Sequence, residues 1–201
     1  KLLYDQYLNM NGDIQFNHEV IDINQQQKKI IFKNSDEQNY KNIAACDGIK
    51  SSVRDKGSNI KKTSHYSGFS AWRGIGSSDS KNINIYLGSD SHVVCYPIND
   101  KLQTSFTGIY KTTNSAEESW RREGSHAELS EDLKSYDAFL HSLFYSSKKV
   151  FRWGLYQRDK LDTFKINDIT LLGDAAHPML PFLAQGANMA LEDAFIFGTL
   201  A

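Results

Sequence analysis

The residues best equipped for chemistry form one run near the C-terminal end: Gly173-Asp174-Ala175-Ala176-His177-Pro178, then Pro181, then Gln185-Gly186-Ala187-Asn188. The apolar stretch from Ile169 to Leu172 stops at Gly173-Asp174, as a strand does where it meets a turn. From Gly186 a helical pattern runs on through Met189-Ala190-Leu191-Glu192-Asp193-Ala194. A strand end, a Pro-bounded loop and a helix N-terminus are the parts that hold an electron-rich ligand against backbone N–H groups. That end of a helix carries about half a positive charge. Asp174, at the end of a buried strand, must find a partner: a ligand hydroxyl is one reading, capping of its own loop the other. His177 beside Asp174 lacks the further ligands a metal requires, so packing or hydrogen bonding is expected of it. Glu192 and Asp193, on the first turns of the helix, read as scaffold that complements its dipole and pairs with nearby groups.

A second constellation is Asp47-Gly48-Ile49-Lys50-Ser51-Ser52-Val53-Arg54. The short apolar run Asn42-Ile43-Ala44-Ala45-Cys46 places it at a strand's C-terminal end, where ligands of open α/β sheets collect. Gly48 supplies the turn, and Asp47 with Arg54 can form a buried pair or reach phosphates. A loop-stabilising ion pair is the plainer reading. A third group lies on strands. His92, Val94 and Tyr96 alternate onto one face of His92-Val93-Val94-Cys95-Tyr96-Pro97, and Arg73 shares a face with Phe69 and Ala71. An imidazole there can hydrogen-bond a carboxylate or phenol and help remove a phenolic proton, while Arg73 can anchor an anion. Tyr110, Trp120, Trp153 and Tyr156 read as core packing.

Those residues need elements to hold them. Residues 14 to 34 alternate as strands do (Ile14, Phe16, then Val20, Ile21, Ile23, then Ile30, Ile31, Phe32), with 24–29 as a hairpin tip and 34–39 as a second turn. From Tyr66 to Tyr110, short β-like segments (69–73, 83–87, 92–97, 102–110) follow one another without helices, which favours an antiparallel sheet. Ser125 with Glu128 makes a capping box, and Leu129, Leu133, Tyr136, Leu140 and Leu143 recur on one helical face. The chain thus reads as the end of one α/β unit, an inserted β-rich layer with a helix, and a return to the α/β unit at Ile169.

Composition narrows the field of functions. Among 201 residues, 40% are hydrophobic, and 23 basic residues face 24 acidic ones. The Lys pairs at 28–29, 61–62 and 148–149 make no basic stripe, so no nucleic-acid partner is expected. No apolar run approaches the roughly 20 residues a membrane span needs. Cys46 and Cys95 lack metal-ligand spacing and are expected to be buried thiols of a reducing compartment, which points to the cytoplasm. There is no initiator Met, and both ends fall inside helical patterns, so a piece of a longer protein is expected.

Taken together, the three motifs resemble a known family. The run from Gly173 to Ala194 is similar to the second flavin-binding motif of FAD-dependent aromatic hydroxylases, nearest to the salicylate hydroxylase-like branch. Asp47–Arg54 is similar to that family's Asp-Gly motif, and Ser67-Gly68-Phe69-Ser70-Ala71-Trp72-Arg73-Gly74 to the first strand of its substrate domain. The resemblance implies an α/β (α+β) fold: part of a Rossmann-like FAD-binding domain, 1–64 and 165–201, with an inserted antiparallel β-sheet substrate domain, 65–164. It implies FAD held by Asp47, Gly48, Arg54, Gly173, Asp174, Pro181, Gln185, Gly186, Ala187 and Asn188, with Asp174 on a ribityl hydroxyl. It implies a small aromatic substrate met by Arg73, His92, Tyr96 and Pro181, with His92 as the catalytic candidate. NADH or NADPH and O₂ would be co-substrates, in a monomer or homodimer. The family's opening Gly-x-Gly-x-x-Gly is missing: Gly74-Ile75-Gly76 is followed by Ser77-Ser78-Asp79. A chain without that unit is expected to bind FAD poorly and not to turn over. Oxidation of a heterocycle or polyketide, or a non-catalytic binding module, remain the alternatives.

Overall fold

The computed structural model describes residues 1–57, 64–119 and 121–200, so Trp120 and the Lys61-Lys62 pair lie outside the described residues. The elements divide into two compact units: residues 1–62, 160–178 and 185–201 form one, and 63–159 with 179–184 form the other.

The first unit begins with helix α1 (Leu2–Asn9), none of whose residues is buried. Strands β1 (Val20–Asn24), β2 (Lys29–Phe32) and β3 (Glu37–Asn39) form a three-stranded antiparallel sheet. The β1–β2 tip is where the polar run 24–29 places it: Asn24 pairs with Lys29, and the Asn24 side chain accepts the N–H of Gln27 at 3.0 Å. Ile14 and Phe16, expected in a strand, are not in one. Asn17 takes a left-handed conformation (φ 61°) that interrupts the extended run, and ladder pairing starts only at Val20. β4 (Ile43–Ala45) leads to the short helix α2 (Ser52–Gly57).

The chain returns to this unit as β11 (Lys165–Ile166), β12 (Ile169–Leu171), a 3₁₀ turn (Gly173–Ala175) and the long helix α5 (Gly186–Leu200). β12 is the centre of a second sheet, order β11-β12-β4, and runs parallel to β4 with Ile169 opposite Ile43 and Leu171 opposite Ala45. A small core of Ala45, Ile169 and Leu171 from these strands, with Leu161 and Ala176 from the flanking segments, forms here.

In the second unit, β5 (Ser64–Ser77), β6 (Asn84–Leu87), β7 (Ser91–Pro97), β8 (Gln103–Lys111), β9 (Glu123–Gly124) and β10 (Val150–Arg158) form a six-stranded antiparallel sheet, order β6-β7-β8-β5-β10-β9. One face is covered by α3 (His126–Asp132) and α4 (Ala138–Tyr145). Leu129, Leu133, Leu140, Leu143 and Phe144 bury there against Trp72, Val93 and Phe106. Full burial of such side chains is worth about 1.5–3 kcal/mol each.

The single helix read from 129–143 is two helices. The capping box of Ser125 and Glu128 starts the first, and Asp137 starts the second by accepting the N–H of Leu140 at 3.0 Å. The apolar spacing bridges the break because both helices lie on the same core. Cys95 is buried, which pushes its thiol up to about 12, whereas Cys46 is exposed, against expectation; both are free. Tyr110 and Trp153 are core residues as read. Tyr156 is half-buried and donates its hydroxyl to Ala116 at 3.1 Å. No helix among the described residues is long and apolar enough to cross a membrane.

Candidate functional site

Parallel pairing of β4 and β12 brings two distant motifs to one sheet edge. The Leu172 N–H donates to the Ala45 carbonyl at 3.0 Å, and beyond that point the chains diverge into Asp47-Gly48 and Gly173-Asp174. Both turns leave their strands through left-handed glycines, Gly48 at φ 80° and Gly173 at φ 57°, a conformation that costs other residues energy. Gly173 is also buried, and a Cβ on it would sit 3.2 Å from the Ala190 Cβ. Helix α5 therefore lies directly on the turn.

The carboxylate of Asp47 faces backbone, not Arg54. It accepts the N–H groups of Ser52 at 2.9 Å and Val53 at 3.3 Å, satisfying the start of α2. The expected Asp47–Arg54 pair is thus replaced by a helix cap. Arg54 is buried beside Asp55, with Nε 3.4 Å from its Oδ1. Its Nη2 donates to the Ile49 carbonyl at 2.7 Å. Its Nη1 donates to the carbonyls of Ala175 at 3.4 Å and Asp174 at 3.5 Å. Arg54 is a brace between the two turns, so its guanidinium faces carbonyls and a carboxylate.

Asp174 is exposed, not buried as its place after a core strand suggests. A turn of 3₁₀ helix rotates it outward, and among the described residues its carboxylate has no hydrogen bond or ion pair. The loop-capping alternative is therefore not what the structure holds. His177 is tied inward: its Nε2 lies 2.6 Å from Asp193 Oδ2, and the same oxygen accepts the Gly173 N–H at 2.7 Å. Asp193 sits two turns into α5, where it braces the strand-end turn rather than the helix start; the first turn of α5 holds no acid. At that start Gln185, Ala187 and Asn188 are exposed, beside the first N–H groups of α5, which have no intrahelical partner.

These features fit FAD. A buried glycine lets the strand-end turn close under a helix, which fixes the residue that follows it. An unpartnered carboxylate suits a sugar-alcohol hydroxyl, and a helix N-terminus suits the electron-rich edge of a flavin. Asp174, Gln185, Gly186, Ala187 and Asn188 are the residues of this unit that could hold it.

In the second unit, the sheet face opposite α3 and α4 carries Phe69, Ala71, Ile109, Trp153 and Leu155, with Leu180 packed on them. His92 stands opposite Ile109 on this face, and Tyr96 lies further along the same strand, opposite Ser105. Burial lowers the His92 pKa below the ordinary imidazole value, so the ring is neutral at pH 7. Its only described side-chain neighbour with a ring contact is Phe182, whose centroid is 6.2 Å away and which also packs edge-on against Phe69 at 5.1 Å. Phe182 was not singled out in the sequence. It lies between Pro181 and Ala184, whose left-handed backbone (φ 51°) is rare outside glycine. Pro181 is exposed in the same loop.

The structure does not bring Arg73 to His92. Arg73 is on β5, two strands from β7 and stacked 5.7 Å from the Phe151 ring centroid and 5.9 Å from that of Trp153. There it lines a cleft of about 650 Å³ with Ile75, Ser105 and Lys148.

A sequence model of the FAD binding domain family matches residues 1–200. The chain belongs to this family. Among curated relatives of the chain, 3-amino-4-hydroxybenzoate 2-monooxygenase of Streptomyces cremeus is 34% identical over 158 residues, 75% of this chain and 38% of that enzyme. Salicylate hydroxylase of Pseudomonas putida is 27% identical over 216 residues, 94% of this chain and 50% of that enzyme. The chain thus spans half or less of the length of these relatives. Among solved structures, Klebsiella pneumoniae HpxO complexed with FAD and uric acid superposes with a TM-score of 0.82 at 20% identity, covering 98% of this chain and 53% of that one. A salicylate hydroxylase substrate complex gives 0.78 at 22%, covering 96% and 55%. The FAD-family fold read from the motifs, mixed α/β with an antiparallel sheet, is the observed one.

Proposed function

We propose that this protein is a flavin-dependent monooxygenase that hydroxylates a small aromatic substrate, using FAD, NAD(P)H and O₂. The carrying observation is the sheet edge where Asp47-Gly48 and Gly173-Asp174 leave adjacent parallel strands, with α5 laid on Gly173. Ligands bind at such strand ends. When bound, FAD supplies the redox chemistry with NAD(P)H and O₂. The first unit is the FAD-binding part and the second the substrate part.

The chain's own residues perform the rest. Asp174 accepts a ribityl hydroxyl, and the N–H groups at Gly186–Asn188 favour negative charge on the flavin pyrimidine edge. Asp47 and Arg54 act on the site by fixing the two turns. His92, neutral at pH 7, accepts the proton of a ring hydroxyl at the imidazole nitrogen, which makes the ring more electron-rich. Tyr96 and Pro181 border the ring and Phe182 gives it an apolar wall that excludes water, while Arg73, two strands from His92, meets only an anionic substituent that extends away from that imidazole. A hydroxyl-bearing benzoate or heteroaromatic acid suits this set, which is also the kind of compound named in the relatives' activities.

The test is a panel of hydroxybenzoates and hydroxypyridine carboxylates offered to the complete polypeptide with FAD and NAD(P)H. One of them should accelerate NAD(P)H consumption and yield its hydroxylated product. Loss of NAD(P)H at the same slow rate with every compound, with peroxide as the only product, overturns the reading.

A further inference from the structure

Helix α5 reaches the strand-end turn through one face. Gly186, Ala190 and Asp193 are spaced four and three residues apart, which stacks them along one side of a helix. Ala190 fills the space over Gly173, and Asp193 extends the contact with a charge: its Oδ2 accepts both the Gly173 N–H at 2.7 Å and His177 Nε2 at 2.6 Å.

The two donors bracket the turn that presents Asp174. Gly173 precedes it, and the His177 N–H donates back to the Gly173 carbonyl at 2.9 Å. An ionised acceptor between two donors forms short, charge-assisted hydrogen bonds, about twice as strong as neutral ones. Because an ionised carboxylate only accepts, the His177 proton sits on Nε2, and its Nδ1 is the acceptor unless the ring is charged.

We propose that Asp193 is a positioning residue for the cofactor. It locks the backbone of the Gly173–His177 turn and the tautomer of His177, and through them sets the direction in which Asp174 offers its carboxylate. Asp193 acts through the turn, since its Oδ2 is taken up by the Gly173 N–H and His177. This inference rests on the flavin reading given above and adds to it a residue two helical turns from the proposed contact.

The experiment compares the complete wild-type polypeptide with Asp193→Ala and Asp193→Asn. FAD affinity is measured by flavin fluorescence, and unfolding of each FAD-free form by urea. Asp193→Ala should weaken FAD binding by about tenfold, the scale on which losing a group that orients a ligand-contacting residue acts. Asp193→Asn keeps an oxygen for the Gly173 N–H and should recover part of that loss, a rescue that a merely space-filling role does not give. Should Asp193→Ala fail to fold, Asp193→Asn carries the test alone: weaker FAD binding than wild type, with a folded FAD-free form, supports the role. Wild-type affinity in a folded variant, or equal losses in both folded variants, overturns the inference while leaving the flavin reading in place. Failure of the wild-type protein itself to take up FAD sinks both.

Discussion

The guanidinium of Arg54 lies 3.4 Å from the carbonyl oxygen of Ala175, although the two residues belong to motifs more than a hundred positions apart. Because the same side chain also holds the Ile49 carbonyl and Asp55, it joins the turn after β4 to the turn after β12. Arg54→Ala should therefore destabilise the fold by about 2–3 kcal/mol, since it strands buried carbonyls and a carboxylate together. Arg54→Lys keeps the charge but loses the fork and should fall between the two. Urea unfolding of the three proteins measures this, and an Arg54→Ala midpoint equal to wild type contradicts it.

Asp174 makes the opposite prediction. Its carboxylate is exposed and has no described partner, so Asp174→Ala should alter stability by no more than about 0.5 kcal/mol. FAD affinity should nevertheless drop by about tenfold or more, because a charged acceptor is removed from the ligand. The two readouts must separate. If stability falls and FAD affinity holds, Asp174 is structural and the assignment is wrong.

His92 links the site to pH. Burial lowers its folded pKa, so the unfolded chain, with an ordinary imidazole, binds the proton more readily. Above both pKa values this group does not affect stability. As pH falls through about 6.5 toward the lower folded value, the unfolded state gains protons first and stability is lost. His92→Gln should remove that acid-side loss. If the imidazole also accepts the substrate proton, the variant's kcat/KM should fall by roughly 10²–10⁴-fold with its acid limb abolished. An unchanged pH profile in the variant refutes the proton-accepting role.

Within the helix-covered core of the second unit, the buried Trp72 indole donates to Asp132 Oδ2 at 2.8 Å, and Arg152 Nε lies 3.7 Å from the same oxygen. Asp132→Ala leaves a buried N–H without an acceptor and should cost about 1.5–3 kcal/mol. Asp132→Asn retains an oxygen and should cost less. Equal midpoints for both variants in urea unfolding count against this account.

What the sequence revealed was whatever depends on neighbours along the chain. Ile169–Leu172 followed by Gly173, the hairpin tip at 24–29 and the Ser125–Glu128 capping box are local signals, and each element formed where its residues placed it. The apolar spacing from Leu129 to Leu143 hid a break because both helices cover one core; the N-cap at Asp137 was the clue. Ile14 and Phe16 alternate correctly but have no partner strand among the described residues, and pairing is not encoded in alternation. The geometry of the site depended on contacts distant in sequence. Neither the capture of Asp47 by the start of α2 nor the approach of Phe182 to His92 has a local signature. Asp174 is exposed where its place after a core strand predicts burial, because one turn of 3₁₀ helix rotates it outward.

The most direct measurement is titration of the complete polypeptide with FAD, followed by flavin fluorescence and absorbance. The account predicts saturation at one FAD per chain, with quenched fluorescence and a visible spectrum shifted from that of free flavin. A protein that is demonstrably folded and leaves both signals identical to free FAD at every concentration contradicts it.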